Sequence, residues 1–169
     1  DLYNCKLAII GLGYVGLPLA IEFAKKKKCN ITQKELKRKI IGFDSNNLRI
    51  VELLSKHDRT GEINTDDLGN LKNIIFTSDK ELLKDAEVFI VTVPTPINEK
   101  KEPDLSFLER ACVLIGETLK DKKSDFFPII IFESTVFPGA TEEVCASIIS
   151  EKSSLTYKKD FFCGYSPER

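Results

Sequence analysis

The sequence predicts an α/β fold in which a parallel, doubly wound sheet carries helices on both faces. Short apolar runs, such as residues 7–10 and 88–93, lack polar alternation, which is typical of strands covered on both faces. Between these runs, apolar residues recur at spacings of three and four, as they do along one face of a helix. Strands that alternate with helices in this way are joined by right-handed crossovers, so the strands run parallel.

The first strand, residues 7–10, leads into a turn with three glycines and then into a helix. The apolar face of that helix consists of Leu17, Ala20, Ile21 and Ala24. In such a turn Gly11 allows the sharp change of direction, Gly13 lets the backbone approach a pyrophosphate, and Gly16 lets the helix pack closely. The N–H groups and the positive dipole end of the helix then bind the phosphates. The motif therefore predicts a Rossmann-like dinucleotide-binding domain.

A second apolar strand, residues 39–43, ends in Asp44. An acid at this position accepts a hydrogen bond from a ribose 2′-hydroxyl, usually about 20 residues past the glycines. Asp44 lies 28 residues past Gly16, so the unit carries an insertion of roughly ten residues, which we place in the basic, polar segment 25–38. The alternative interpretation is an ordinary glycine turn and an ordinary aspartate at the end of a strand.

The segment after Asp44 is expected to form a helix that Ser45 or Asn46 caps and that extends to about residue 55. Its buried side is predicted to consist of Leu48, Val51 and Leu54. A polar, turn-rich segment, 56–71, precedes a short third strand at residues 74–76. Residues 78–81 fit a capping box, in which Ser78 and Glu81 satisfy each other's backbone donors at the start of a short helix.

The fourth strand, residues 88–93, is predicted to be central because it is continuously apolar. A long helix then extends from Asp104 to about residue 119, followed by a fifth strand at 128–132 and a sixth at 160–164. The long helix has an apolar face of Leu105, Leu108, Cys112, Ile115 and Leu119. The helix between the fifth and sixth strands has a stripe of Val144, Cys145, Ile148 and Ile149.

The composition of the 169 residues fits one domain with a substantial core, with 42% hydrophobic residues. The net charge of −1 gives no reason to expect nucleic acid or an anionic membrane as a partner. No apolar run approaches the roughly 20 residues of a membrane span, and the amino terminus lacks the pattern of a signal peptide, so we expect a cytoplasmic protein. The lysines at 25–28 are interpreted as the solvated end of the first helix.

The cysteines are scattered, without a C-x-x-C pair, which argues against a metal site and against a disulfide framework. They are Cys5, Cys29, Cys112, Cys145 and Cys163. Cys112 and Cys145 fall on apolar helix faces and are predicted to be small core residues.

In a doubly wound sheet, ligands bind beyond the carboxyl ends of the strands, where the strand order reverses. The segments that follow the predicted strands are residues 11–16, 44, 94–96, 133–135 and 166–169. All five are expected to line one crevice.

These strand-end motifs together resemble the UDP-glucose/GDP-mannose dehydrogenase family. The matching stretches are Ile10-Gly-Leu-Gly-Tyr-Val-Gly-Leu-Pro18, Gly42-Phe-Asp44, Val93-Pro-Thr-Pro96, Glu133-Ser-Thr-Val-Phe-Pro-Gly139 and Tyr165-Ser-Pro-Glu-Arg169. Two of the chain's stretches, His57-Asp-Arg-Thr60 and the ending Ser-Pro-Glu-Arg, are most similar to the branch that acts on UDP-N-acetylhexosamines.

The resemblance implies an enzyme that oxidises C6 of a UDP-sugar to a carboxylate with two NAD⁺ in succession, for precursors of surface polysaccharides. Residues 1–169 would be its NAD-binding domain. The central helix and the UDP-sugar domain, with the catalytic cysteine and its assisting lysine and asparagine, would lie outside them. The domain alone is therefore expected to be inactive, and the full-length protein to be a homodimer or a larger oligomer.

The resemblance also assigns site residues by position. The family's cofactor contacts match Tyr14, Val15, Asp44, Arg49, Thr95 and Thr135, which join Gly11, Gly13 and Gly16 of the glycine turn as predicted cofactor-binding residues. Thr135 could hold the nicotinamide end or a catalytic water, Glu168 could act as acid or base, and Arg169 matches a residue that contacts the substrate. Considered without the resemblance, Thr135 could be a turn residue or helix cap, Thr95 could simply end a strand, and Arg49 could be a solvated helix charge.

A second function remains open on the residues alone. A nucleotide sensor or scaffold could retain the dinucleotide-binding fold without catalysis, because a fold does not determine a function. A second domain with a cysteine nucleophile in the full-length protein would distinguish the enzyme from the sensor.

Overall fold

The computed structural model describes residues 3–97, 103–120, 126–133, 139 and 144–166. The strands are β1 (Lys6–Ile10), β2 (Lys39–Phe43), β3 (Ile74–Thr77), β4 (Val88–Val91), β5 (Ile129–Phe132) and β6 (Phe162–Tyr165). The α-helices are α1 (Gly16–Lys25), α2 (Asn47–Leu54), α3 (Thr65–Asn70), α4 (Ser106–Lys120) and α5 (Ala146–Ser153), and a 3₁₀ helix covers Lys80–Asp85. Within the described residues, no helix combines the length and the apolar character that crossing a membrane requires.

The six strands form one parallel sheet in the order β3-β2-β1-β4-β5-β6. Ile9 of β1 is paired with Gly42 of β2 on one side and with Ile90 of β4 on the other. The strand order reverses between β1 and β4, so the crevice of this doubly wound sheet lies beyond the carboxyl ends of these two strands. The predicted fold class is confirmed.

Two apolar cores cover the two faces of the sheet. One packs α1 and α2 against Ile9, Ile40 and Ile90, and the other packs α4 and α5 against Phe89 and Phe132. The predicted face of α1 is buried. The long helix α4 begins at Ser106 rather than at Asp104, so Leu105 precedes it and is only half-buried, whereas the rest of the predicted face is buried. Cys112 and Cys145 are core residues as predicted. In the stripe before and within α5, Cys145 and Ile149 are buried, whereas Val144 and Ile148 are only half-buried.

The predicted buried side of α2 is wrong. Leu48, Val51 and Leu54 are 74%, 56% and 64% exposed, and the buried residues are Arg49, Ile50 and Leu53. The helix has two apolar stripes, and spacing alone cannot choose between them. The inward orientation is compatible with Arg49 because its guanidinium finds charged and carbonyl partners inside the protein.

Smaller elements also differ from the predictions. The segment predicted as turns contains α3, which Asn64 caps, and the cap of the 3₁₀ helix is Asp79 rather than Ser78. Asn46 caps α2, as predicted. The insertion forms a short antiparallel bridge between Lys28 and Glu35, and the lysines at 25–28 are exposed, although α1 itself ends at Lys25.

Candidate functional site

The glycine turn connects β1 to α1 at the reversal point of the sheet. Gly11 has a φ of +96°, a conformation that favours glycine, and its N–H donates to the carbonyl of Phe43 at 2.8 Å. A Cβ on Gly16 would lie 1.8 Å from the Gly11 oxygen and 2.4 Å from Oγ1 of Thr92. The amino end of α1 therefore packs against the turn and the end of β4, which leaves no room for a side chain at position 16.

The same turn is open on its outer side. A Cβ on Gly13 would have no heavy atom within 4 Å. Among the described residues, the backbone N–H groups of Gly13, Tyr14 and Val15 have no hydrogen-bond acceptor, and no side chain caps α1. Three backbone donors at the positive end of a helix therefore have no partner in the described part of the chain, and such donors are the groups that bind phosphate at a helix terminus.

Thr92 was not predicted to matter, yet it fixes the turn from the neighbouring strand. Its side chain is buried, and Oγ1 lies 3.0 Å from the Ile10 oxygen and 2.8 Å from the Gly11 oxygen. A threonine at the end of a continuously apolar strand is the sequence signal that points to this role.

Asp44 lies at the end of β2 and faces the turn, as predicted. Its Oδ2 accepts from the N–H of Leu12 and its Oδ1 from the N–H of Asn46, both at 2.9 Å. A carboxylate has about four acceptor positions, so two remain for hydroxyl groups.

Arg49 lies beneath the turn, with a side chain only 5% exposed. Its Nε donates to the carbonyl of Leu12 at 2.9 Å, and its two terminal nitrogens donate to Glu52 and to Asp58. The interpretation of Arg49 as a solvated helix charge is therefore wrong.

Asp58 belongs to the stretch His57-Asp-Arg-Thr60, and its side chain is fully buried. It accepts hydrogen bonds from Arg49, from the hydroxyl and N–H of Thr60, and from the N–H groups of Glu62 and Ile63. Burial acts to raise the pKa of the carboxyl, but these hydrogen bonds outweigh it and lower the pKa to about 2.

This pKa predicts how stability depends on pH. The ordinary value is 3.8, so the ionised carboxyl stabilises the fold above about pH 4, and the contribution is lost as the pH falls towards 2. At neutral pH this lowered pKa contributes roughly 2 kcal/mol to the free energy of unfolding. We expect Asp58→Asn to lower Tm at neutral pH, and the difference from wild type to shrink below about pH 4. Thermal unfolding followed by circular dichroism measures the difference in Tm between the two proteins at each pH. A difference that stays constant down to pH 2 would contradict the prediction.

A cleft of about 480 Å³ extends from the turn along the carboxyl ends of β1, β2 and β4. Its wall on the side of β2 consists of Phe43, Asp44, Ser45 and Asn46, and the opposite wall of Val93, Pro94, Phe107, Arg110, Ala111 and Leu114. Arg110 lies over the ring of Phe107, 4.9 Å from its centroid. The sequence did not indicate that residues of α4 line the cleft, because these residues are spaced along the helix as core residues are.

Of the four remaining predicted site residues, the structure describes one. Thr95 is half-buried and follows Pro94 of the cleft wall. Thr135, Glu168 and Arg169 lie outside the described residues. The ends of β5 and β6 flank this region, since the backbone N–H of Glu133 donates to the carbonyl of Val91 and the backbone N–H of Ser166 to that of Phe132.

A larger cavity of about 620 Å³ lies at the amino ends of β1 and β2, on the opposite edge of the sheet. Lys6, Lys39 and residues 35–38 of the insertion line it, and no strand-end motif reaches it. Across the described residues, no three His, Cys, Asp or Glu side chains are grouped so that they could hold a metal ion.

The reversed strand order, the open glycine turn and the acid at the end of β2 define a dinucleotide-binding domain of the Rossmann type. The chain belongs to the UDP-glucose/GDP-mannose dehydrogenase family, because the model of that family's NAD binding domain matches residues 5–169. The resemblance inferred from the strand-end motifs is thereby confirmed.

Relatives in the family include two UDP-N-acetyl-D-glucosamine 6-dehydrogenases. The chain is 48% identical to the one from Pseudomonas aeruginosa, over 98% of this chain and 36% of the relative. It is 44% identical to the one from Salmonella typhi, over 97% of this chain and 35% of the relative. The chain therefore spans little more than a third of the length of the curated relatives it matches.

Solved structures show the same fold. UDP-D-ManNAc dehydrogenase from Pyrococcus horikoshii superposes with a TM-score of 0.79 at 32% identity, over 97% of this chain and 36% of that one. The ternary complex of GDP-mannose dehydrogenase from Pseudomonas aeruginosa superposes with a TM-score of 0.82 at 25% identity, over 96% and 36%.

Proposed function

We propose that the cleft at the strand ends binds NAD⁺ and that the full-length protein is a UDP-sugar 6-dehydrogenase. It would oxidise C6 of UDP-N-acetylglucosamine, or of a related UDP-sugar, to the carboxylate in two steps. The observation that carries the proposal is the open glycine turn, with three backbone donors beside the carboxylate of Asp44. The identities of 44–48% to UDP-N-acetyl-D-glucosamine 6-dehydrogenases support this sugar.

The residues around the cleft fit NAD⁺ in size and chemistry. The open space at Gly13 leaves room for a pyrophosphate against the backbone, and the N–H groups of Gly13, Tyr14 and Val15 would hold its oxygens. Asp44 would accept from the adenosine ribose, and the apolar wall with Val93 and Phe107 would cover the adenine.

When bound, NAD⁺ accepts a hydride from the carbon that is oxidised. The strand-end residues of this chain would position that carbon and donate or accept the protons that the reaction transfers. As the family resemblance implies, Thr95 would contact the cofactor and Thr135 its nicotinamide end or a catalytic water. Glu168 would act as acid or base or orient a water, and Arg169 would contact the substrate.

Asp44 predicts a preference for NAD⁺ over NADP⁺, since its carboxylate would accept from a 2′-hydroxyl but repel a 2′-phosphate. Isothermal titration calorimetry should give a dissociation constant for NADP⁺ at least about tenfold higher, a difference of roughly 1.4 kcal/mol. Asp44→Asn should weaken NAD⁺ binding and narrow that gap.

Asp79 is a matched control for Asp44, because it is also an aspartate that follows a strand and bonds a nearby N–H, but it caps the 3₁₀ helix and does not line the cleft. Asp79→Asn should leave both affinities unchanged. Equal or tighter binding of NADP⁺ by the wild-type protein would refute the assignment of Asp44.

The oligomer and the cytoplasmic location remain predictions. Light scattering of the full-length protein after size-exclusion chromatography would test for a homodimer or larger assembly. Fractionation of the source cells would test the location.

A further inference from the structure

The two peptide groups of the glycine turn are each fixed by charged or polar side chains from elsewhere in the chain. The peptide between Gly11 and Leu12 has its oxygen bonded by Thr92 and its N–H bonded by Asp44. The peptide between Leu12 and Gly13 has its oxygen bonded by Nε of Arg49 at 2.9 Å. Its N–H, which belongs to Gly13, has no acceptor among the described residues.

A peptide group is planar and trans, so its C=O and N–H point in opposite directions. Because the Leu12 oxygen accepts from the buried Arg49, the Gly13 N–H of the same peptide group points away from Arg49. The orientation of a donor in the proposed pyrophosphate site is thus set by a side chain on α2 beneath it.

Arg49 is in turn fixed by two acids. Its terminal nitrogens bond Glu52 and Asp58, at 2.7 Å for Asp58, and both of the Arg49 and Asp58 side chains are almost fully buried. Asp58 is itself held by Thr60 and by backbone donors of its own turn. Three acceptors around one planar guanidinium leave it a single orientation.

The charges in this cluster cancel, which argues against a role in attracting phosphate. Arg49 and Arg59 contribute two positive charges, and Glu52 and Asp58 contribute two negative charges. The cluster therefore affects the turn by orienting its peptide group and not by adding net charge.

We propose that Arg49, held by Asp58, is a positioning residue that orients the Gly13 N–H for the cofactor pyrophosphate. The stretch His57-Asp-Arg-Thr60 then serves the cofactor site through Arg49. This inference rests on the proposed function.

The test uses the full-length protein with Arg49→Gln and Arg49→Lys. A single ammonium group cannot bond Leu12, Glu52 and Asp58 together, so the lysine variant retains the charge and loses the geometry. Both variants should bind NAD⁺ about tenfold more weakly, as expected for one charge-assisted hydrogen bond acting on the site. KM for NAD⁺ should rise, whereas KM for the sugar nucleotide should stay unchanged.

Arg59→Gln is the matched control, because Arg59 also pairs with Glu52 but is 52% exposed and does not contact the turn. It should bind NAD⁺ like the wild type. Asp58→Asn should weaken binding in the same direction as Arg49→Gln, and the double variant should bind no more weakly than Arg49→Gln alone, since Asp58 acts through Arg49.

Amide hydrogen exchange of the cofactor-free protein separates positioning from direct contact and from general destabilisation. Exchange should accelerate at the hydrogen-bonded amides of Gly11 and Leu12 in both Arg49 variants and stay at the wild-type rate in β5. Unchanged NAD⁺ affinity in a folded variant, or weakened affinity with unchanged exchange in the turn, would overturn the proposal.

If the wild-type protein did not bind NAD⁺, the proposed function would fail together with the cofactor part of this inference. The exchange rates of the cofactor-free protein would still decide whether Arg49 fixes the turn. Arg49→Lys keeps the test decisive if Arg49→Gln, by leaving Asp58 and Glu52 unpaired, prevents folding.

Discussion

Replacing Gly13 with valine is expected to abolish detectable NAD⁺ binding while the domain stays folded. No heavy atom lies within 4 Å of the position that a Cβ would occupy, so the side chain would extend into the space proposed for the pyrophosphate without a clash in the cofactor-free protein. Loss of two charge-assisted hydrogen bonds would weaken binding by roughly a hundredfold or more. Thermal unfolding measures the stability of the domain without NAD⁺, and the rise in Tm on adding NAD⁺ reports binding.

Gly16→Ala is the informative comparison, because it adds less volume at a position with no room. Its Cβ would meet the Gly11 oxygen at 1.8 Å, so the turn and the amino end of α1 must move apart. We expect this variant to lose roughly 3 kcal/mol of stability, in the range of severe core substitutions.

A Gly13→Val protein that NAD⁺ stabilises as it does the wild type would show that the phosphates bind elsewhere.

The glycine turn illustrates what the sequence could predict. The positions of Gly11, Gly13 and Asp44 at strand ends follow from local rules of turn geometry, and the structure shows the positive φ of Gly11, the open space at Gly13 and the carboxylate of Asp44 bonded to the turn. The parallel, doubly wound sheet could also be inferred, since few topologies are compatible with alternating strands and helices.

The α2 helix shows why other features could not be predicted. Leu48, Val51 and Leu54 form as regular a stripe as Ile50 and Leu53 do, and the choice between them depends on what Arg49 contacts. Its partners are Leu12, 37 residues earlier, and Asp58, nine residues later. A buried arginine is therefore a tertiary feature, which depends on groups that no local pattern brings together.

Thr92 is a second case of this kind. Its hydroxyl bonds two carbonyls that lie more than 80 residues earlier, on the neighbouring strand and in the turn. The sequence shows only a polar residue at the end of an apolar strand, and that pattern also fits simple strand termination.

Residues 1–169 alone are expected to bind NAD⁺ but to release no NADH from a UDP-sugar. The family resemblance places the UDP-sugar domain outside these residues, so the sugar would not be held against the cofactor for the first oxidation. The second oxidation also needs a nucleophile that makes the aldehyde carbon tetrahedral again, and the resemblance assigns this to a cysteine outside these residues. Cys5, Cys112 and Cys145 are buried in the cores. A hydrogen bond with Cys145 and burial raise the pKa of the Cys112 thiol, which keeps it protonated.

Cys29 is the strongest internal competitor for the role of nucleophile, because hydrogen bonds with Thr32 lower the pKa of its thiol to about 7. It lies beyond the carboxyl end of α1, however, and ten residues of helix separate that end from the glycine turn by roughly 15 Å. No thiolate there could attack a carbon in the cleft. Cys29→Ser should therefore leave the activity of the full-length protein unchanged.

The measurement is NADH absorbance with UDP-N-acetylglucosamine and NAD⁺, in parallel for residues 1–169 and for the full-length protein. The full-length protein should reduce two NAD⁺ per sugar, and residues 1–169 should reduce none while calorimetry still detects NAD⁺ binding. That binding control separates a missing catalytic part from a misfolded domain. Steady NADH production by residues 1–169 would mean that the groups that bind and oxidise the UDP-sugar lie within them and that the division between a cofactor domain and a catalytic domain is wrong.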